Sequence, residues 1–387
     1  MILLELPYVS KFLIETIKNN NIPVLKSSLT NSLGMGEDYN LVDEAGIIDF
    51  VNATGEIKLY TNSENALSWI SNNLSFTGLP LKIELFNNKV KFRELIQKMY
   101  PSFYFREVLL DGIDDIIVED IPKPFIIKPS VGFFSIGVYK VSYNSEWEKT
   151  VERIRKEIET VKNLFPVEVL DTQKFIIEEC IDGEEFAFDA YFSNTGEPVI
   201  LSILKHVFSS GKDVSDRVYL TSAEIINENL ERFTGFLKKI GELAELKNFP
   251  LHVEVRIDNA GNLVPIEINP MRFGGFCTTA DFTYYALGFN PYLCYYKNIR
   301  PKWEKILEGK EDKIFSLIVL NNSTGKSGEE ISRFDYDKLL SQFEHPLELR
   351  KMDYKKYPVF GFLFTETSRG NYHEIEHMLK SDLKEFI

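Results

Sequence analysis

The stretch PIEINPMRFGG, residues 265–275, gathers an acid, an amide, an arginine and two glycines at the end of what reads as a strand. Alternation in Ile266-Glu267-Ile268-Asn269 sends the isoleucines to one face and Glu267 and Asn269 to the other. Upstream, LHVEVRID alternates Leu251, Val253, Val255 and Ile257 with His252, Glu254, Arg256 and Asp258, and Asn259-Ala260-Gly261-Asn262 between the two runs forms turns readily. With those four residues as the loop of a hairpin, Asp258 pairs with Leu263, Glu254 with Glu267 and His252 with Asn269. Directly opposed carboxylates, with Cβ atoms ~5 Å apart, are destabilising unless something compensates. A divalent cation would do so: magnesium takes oxygen ligands, typically one or two carboxylates with waters and phosphates, and Glu254, Glu267 and the Asn269 carbonyl supply that set. The other reading is a solvated acidic face partly neutralised by Arg256. Pro265 cannot donate to a ladder and must lie at an edge or non-bonded position.

Two more stretches have chemistry to offer. FIIKPSVGFFSIGVYKV reads as strand, loop, strand, with Lys128 ending the first strand and Ser130 to Gly137 forming the connection. Gly132 and Gly137 have the outer spacing of a P-loop, but Val138-Tyr139 stands where Lys-Ser/Thr is required and a strand follows in place of a helix, which excludes it. What remains is a hairpin whose N–H groups could cover phosphates beside a lysine, or simply a hairpin with two glycines. KFIIEECIDGEEFAFDAYF offers Glu178, Glu179, a turn at Gly183, then Glu185 and Asp189 on an alternating strand. The backbone of such a linker can hold an adenine while a carboxylate accepts ribose hydroxyls; the alternative is an acidic hairpin on the surface.

The elements that must position these residues follow from composition and periodicity. At 387 residues, 44% hydrophobic and 26% charged, the chain is globular and long enough for two or three domains. The net charge of -14 argues against nucleic-acid and anionic-membrane partners. Cys180, Cys277 and Cys294 lack C-x-x-C spacing, so no zinc site is expected and a reducing compartment is. MILLELPYV reads as a first strand, not a signal peptide, and no apolar run approaches the ~20 residues of a membrane span, so a cytoplasmic location is expected. Residues 1–86 alternate short strands with helices, a small α/β domain, and no G-x-G-x-x-G follows its first strand. Residues 87–300, opening on the helical KVKFRELIQKMY, hold all the candidate chemistry. Residues 301–387, with strands IFSLIVL and VFGFLF and the amphipathic helix HEIEHMLKSDLKEFI, suggest a small α+β piece.

In this order the stretches resemble the ATP-grasp superfamily from about residue 87 to about residue 295. NNKVKFRELI matches its N/D-K-x-x-x-R/K helix start, so the resemblance makes Lys89 a contact of the inner phosphates. FIIKPS matches its second lysine, Lys128, and SVGFFSIG, with Ser135 and Gly137, its phosphate-covering loop. IEECIDGEE is similar to its adenine hinge: Glu178 and the backbone of Glu179 and Ile181 would meet the adenine, and Glu185 the ribose. E-x-R-x-D followed by E-x-N-P makes Glu254, Glu267 and Asn269 the ligands of Mg2+, with Mn2+ a possible substitute. The fold implied is α/β and α+β: a small Rossmann-like domain, an ATP-grasp fold of two α+β subdomains closing on ATP with a mobile lid at about 124–178, and a C-terminal α+β piece. The activity implied is that of an ADP-forming carboxylate–amine ligase using ATP, with small-molecule carboxylate and amine substrates and a homodimer as the expected assembly. A regulatory ATP-binding scaffold, or an enzyme like carbamoyl-phosphate synthases or those of purine biosynthesis, are the alternatives.

One departure concerns Arg272. Many members read N-P-R, whereas this chain reads Asn269-Pro270-Met271-Arg272, one residue longer. Arg272 is nonetheless expected at the acyl phosphate or the acceptor, with room left by the glycines behind it, and Lys205, at the end of an apolar strand, at the transferred phosphate. Carbon-dioxide-fixing relatives carry a glutamate–histidine pair after their arginine, and FGGFCTTADFTYYALG does not. In LKHVFSSGKDVSDRVYLTS, a candidate substrate loop, Arg217 is the more speculative contact and His206 either a base or structural. Phe133-Phe134 would shield the site or merely pack.

Overall fold

The computed structural model describes residues 1–55, 57–132, 137–161, 171–209 and 217–387. Short apolar runs open the chain: β1 (Ile2–Leu3), β2 (Val24–Leu25), β3 (Leu41–Val42) and β4 (Tyr60–Thr61) form a parallel sheet of order β3-β2-β1-β4. Helices between them are started by side-chain caps, Ser10 accepting from the Leu13 N–H and Asp43 from the Gly46 N–H. Because β1 is flanked by β2 on one side and β4 on the other, the strand order reverses there, and the carboxyl ends of β1 and β4 form a crevice.

A second sheet, of order β5-β8-β6-β7, comprises β5 (Phe105–Leu109), β6 (Phe125–Pro129), β7 (Tyr139–Val141) and β8 (Lys174–Glu179). The helix Trp147–Val161 closes its apolar face, Trp147, Val151, Ile154 and Ile158 meeting Phe125, Ile127, Phe175 and Ile177. The described residues of the stretch expected as a lid, about 124–178, belong to this unit, which also includes β5.

The third sheet has nine strands: β9 (Glu184–Phe192), β10 (Pro198–Ile200), β11 (Leu204–Val207), β12 (Val218–Thr221), β13 (Phe249–Ile257), β14 (Leu263–Pro270), β15 (Lys313–Asn321), β16 (His345–Lys351) and β17 (Val359–Ser368). Its order is β14-β13-β9-β11-β12-β15-β17-β16, with β10 on β9. One face is apolar and covered by the helix Ala223–Ala244, where Phe233 stacks on Phe188 at 4.7 Å. The C-terminal α+β segment shares this sheet, since β15 pairs with β12 throughout Val218–Thr221. Its last helix covers only His373–Lys380 and stops before Ser381.

Two details of register set up the site. Glu254 lies opposite Glu267 and His252 opposite Asn269, as the sequence predicts, but Leu263 pairs with Ile257, not Asp258. The loop has five residues, closed by Asp258, whose carboxylate accepts from the Ala260 and Asn262 N–H groups. A bulge at Ile266 restores the phase, just after Pro265, on the edge strand where a missing donor costs nothing. The acidic stretch around Gly183 is no hairpin, because β8 belongs to the small sheet and β9 to the large one. Gly183, at φ 113°, has no room for a side chain: a Cβ would stand 2.1 Å from the Ile257 carbonyl oxygen.

Candidate active site

Side chains directly opposite across antiparallel strands share a face, so the registers decide what meets what. Arg256 is paired with Glu185, Glu254 with Ala187 and His252 with Asp189 across β13 and β9, and Glu267 and Asn269 extend the same face onto β14. The small sheet and the helix Lys89–Ile96 supply the other wall. Asn88 caps that helix by accepting from the Val90 and Lys91 N–H groups, which places Lys89 at its first position. The Lys89 N–H donates to the Ser130 carbonyl, 2.7 Å, and Nζ reaches the Gly132 carbonyl, 3.1 Å, and Glu267 Oε2, 3.2 Å.

Lys128, at the end of β6, pairs with Glu178 at 2.6 Å, and the second oxygen of Glu178 accepts from Arg93 Nε at 2.7 Å. Burial pushes the Glu178 carboxyl up, but Arg93 and Lys128 outweigh it and hold it down at about 2. Burial opposes ionisation of Glu267 too, and Lys89 and then Lys128 keep its carboxyl well below the usual range. The acidic face is thus neutralised by these lysines; Arg256 serves Glu185, at 3.0 and 2.8 Å.

The metal-ligand expectation fits the donors present. Among the described residues no three His, Cys, Asp or Glu side chains cluster as a ready cage, and the expected donors are two carboxylates and an amide. Glu254 and Glu267 face each other across the ladder, and Asn269 is braced by its amide NH2 on Glu267 Oε1, 3.2 Å. Such a set suits a hard cation that keeps waters and phosphate oxygens as its other ligands.

Of the hinge residues, the Glu179 N–H donates to the Tyr104 carbonyl, 3.0 Å, and the Ile181 carbonyl accepts from Arg256, 2.8 Å. Glu185 is shared between Arg256 and His206, whose Nδ1 is 3.0 Å away. Gly137, at φ 70°, gives its N–H to Glu157, 3.2 Å, not to the cleft. Ser135 and the Phe133-Phe134 pair lie outside the described residues.

Two expectations are corrected outright. Lys205 pairs with Phe186, which pairs with Val255, so it lies on the apolar face, opposite Glu254, with Nζ on Glu184. Its neighbour His206 takes the cleft side, stacked on Tyr219 at 4.3 Å. Arg217 donates to the Met378 and Ser381 carbonyls at the end of the last helix, a structural task.

Arg272 is aimed by the residue before it. Met271 adopts φ 65°, its side chain wholly buried, and its carbonyl accepts from the Thr61 N–H at 2.8 Å. That left-handed residue turns Arg272 toward the crevice of the N-terminal sheet, where Nε and NH2 both meet Glu64 Oε1, Nε at 3.0 Å. The glycines behind it differ in purpose: Gly275 has open space, but at Gly274 a Cβ would stand 2.3 Å from Thr279. The Gly274 N–H donates to buried Asp189, which also accepts from Thr279 and lies 2.7 Å from His252 Nδ1. Asp189 is the acid expected on the strand after Gly183, though no partner was expected for it; Glu64 and Arg93 are not expected from the sequence, and of the two only Arg93, four residues after Lys89 in the helix start, carries a signal.

Two antiparallel sheets facing each other across a cleft of lysines and paired carboxylates are the build of an ATP-binding clamp. Residues 121–280 match the ATP-grasp domain family. Among solved structures it is similar to L-amino acid ligase from Bacillus licheniformis, with 19% identity over 100% of this chain and 97% of that one and a TM-score of 0.70. N5-carboxyaminoimidazole synthase from Aspergillus clavatus, in complex with ADP and a ribonucleotide, gives 12%, 100%, 98% and 0.64. Biotin carboxylase from Campylobacter jejuni gives 11%, 95%, 87% and 0.61. No curated protein matches the sequence. No helix among the described residues is long and apolar enough to cross a membrane.

Proposed function

We propose that the protein is an ATP- and Mg2+-dependent ligase that activates a small-molecule carboxylate as an acyl phosphate for attack by an amine, releasing ADP and phosphate. The observation that carries this reading is the convergence of Lys89 and Lys128 with Glu254, Glu267 and Asn269 on one cleft between two sheets. Phosphoryl transfer asks for positioning and charge neutralisation, not a protein nucleophile. Lys89 and Lys128 bind the phosphates as point charges, exchanging their carboxylate partners for phosphate oxygens. A divalent cation held by Glu254, Glu267 and Asn269 would supply further charge neutralisation on the same phosphates. The carbonyl of Glu179 and the N–H of Ile181 receive the adenine, and Glu185, held by Arg256 and His206, accepts from the ribose. Arg272, fixed by Glu64, binds the carboxylate that becomes the acyl phosphate.

The test is an ADP-release screen over pooled carboxylates and amines, with products identified by mass spectrometry. ADP and phosphate must appear only when acid and amine are both present. AMP with pyrophosphate, or tight ATP binding without turnover on any pool, overturns the reading.

A further inference from the structure

Arg93 sits one turn beyond Lys89 on the same helix face, only 2% exposed, and no step above uses it. Its guanidinium is fully engaged. Nε donates to Glu178 Oε2 at 2.7 Å, NH1 to the Pro265 carbonyl at 2.7 Å and NH2 to the Ile266 carbonyl at 3.4 Å. Phe103 stacks on the guanidinium, 4.3 Å from ring centre to Cζ. Glu178 belongs to the small sheet, whereas Ile266 is the bulged residue of the β13–β14 hairpin in the large one and Pro265 precedes it.

We propose that Arg93 is a positioning residue that couples the nucleotide seat to the metal seat, a proposal that rests on reading the cleft as a nucleotide and metal site. At the first seat it is the standing counter-charge of Glu178. Lys128 can then turn from Glu178 toward a phosphate without leaving a buried carboxylate unpaired. At the second it holds the carbonyls that the bulge turns out of the ladder. That bulge sets Glu267 opposite Glu254, and a one-residue slip would send Glu267 and Asn269 to the other face. Only a planar fork serves both; a lysine would reach one.

The test is calorimetric titration of the full chain with ADP, once in EDTA and once in excess MgCl2, in wild type and in Arg93→Lys. The readout is the ratio of the two affinities, which loss of packing alone would not move. Arg93→Lys keeps the counter-charge to Glu178 and loses the carbonyl fork. Its affinity in EDTA is expected to change little while the gain from magnesium falls about tenfold, the usual effect of losing a residue that orients metal ligands. If Arg93→Lys does not fold, the Arg93→Gln/Glu178→Gln double variant, which removes both buried charges together, must show the same fall. A wild-type ratio in whichever variant folds, including equal losses under both conditions, overturns the proposal alone. Wild-type protein that binds no ADP overturns the nucleotide reading with it.

Discussion

Lys89 Nζ lies 3.2 Å from Glu267 Oε2, so a lysine suited to phosphate and a carboxylate suited to a metal neutralise one another across the cleft. The helix Lys89–Ile96 and the large sheet are joined at this point by an ion pair that a nucleotide and its cation would exchange for better partners. Replacing Glu267 by alanine removes a proposed metal ligand and leaves Lys89 without its carboxylate. ADP release is expected to fall by about 10²-fold or more, with circular dichroism showing the fold retained. Normal turnover in Glu267→Ala would show that the hairpin does not serve the chemistry.

Arg272 depends on Glu64, from another part of the chain, for its orientation. Glu64→Gln keeps the size and removes the charge that holds the guanidinium. The expected result is a drop in kcat of roughly 10²-fold, the cost of misplacing a catalytic group by about an ångström, with KM for ATP unchanged. A rise in the KM for ATP alone would place Arg272 with the nucleotide instead.

Lys205 and its neighbour His206 give opposite expectations because they lie on opposite faces. Lys205→Ala removes a partly exposed pair with Glu184, costs at most about 0.5 kcal/mol in a denaturant titration and leaves ADP release unchanged. His206→Ala takes a hydrogen bond from Glu185 and should raise the KM for ATP. Loss of activity in Lys205→Ala would contradict the register of β11.

The Glu178 carboxyl, at about 2 in the folded chain against 4.5 ordinarily, contributes stability that is complete above pH ~4.5 and lost as the pH falls toward 2. That shift corresponds to about 3 kcal/mol. Chemical denaturation from pH 6 to 2.5 should show this slope, and Glu178→Gln should flatten it. An unchanged slope would mean that Glu178 is not held ionised by Arg93 and Lys128.

Gly183 carries the crossing between the sheets over the hairpin of β13 and β14. Gly183→Ala places a Cβ against the Ile257 carbonyl in a backbone conformation that resists one. It should destabilise the fold by about 3 kcal/mol in a denaturant titration. A variant as stable as wild type would exclude so close a crossing.

The sequence by itself determined the strands that carry the candidate chemistry, the order of those stretches and the pairing of Glu254 with Glu267, because alternation and turn residues are local properties written into neighbouring positions. It misjudged the hairpin loop by one residue, since the compensating bulge at Ile266 lies away from the turn, where the Ile266 carbonyl accepts from Arg93, far away in the chain. Lys205 shows the same limit: its own strand is local, but the face that strand turns to the cleft is fixed by pairing with β9. Met271 posed a question that its own neighbourhood could not answer. The extra residue is absorbed as a left-handed turn held by Thr61, and Arg272 is then aimed by Glu64, both on the N-terminal domain. Only the tertiary structure decided these points, because each buried charge settles on whichever distant partner removes the cost of leaving water.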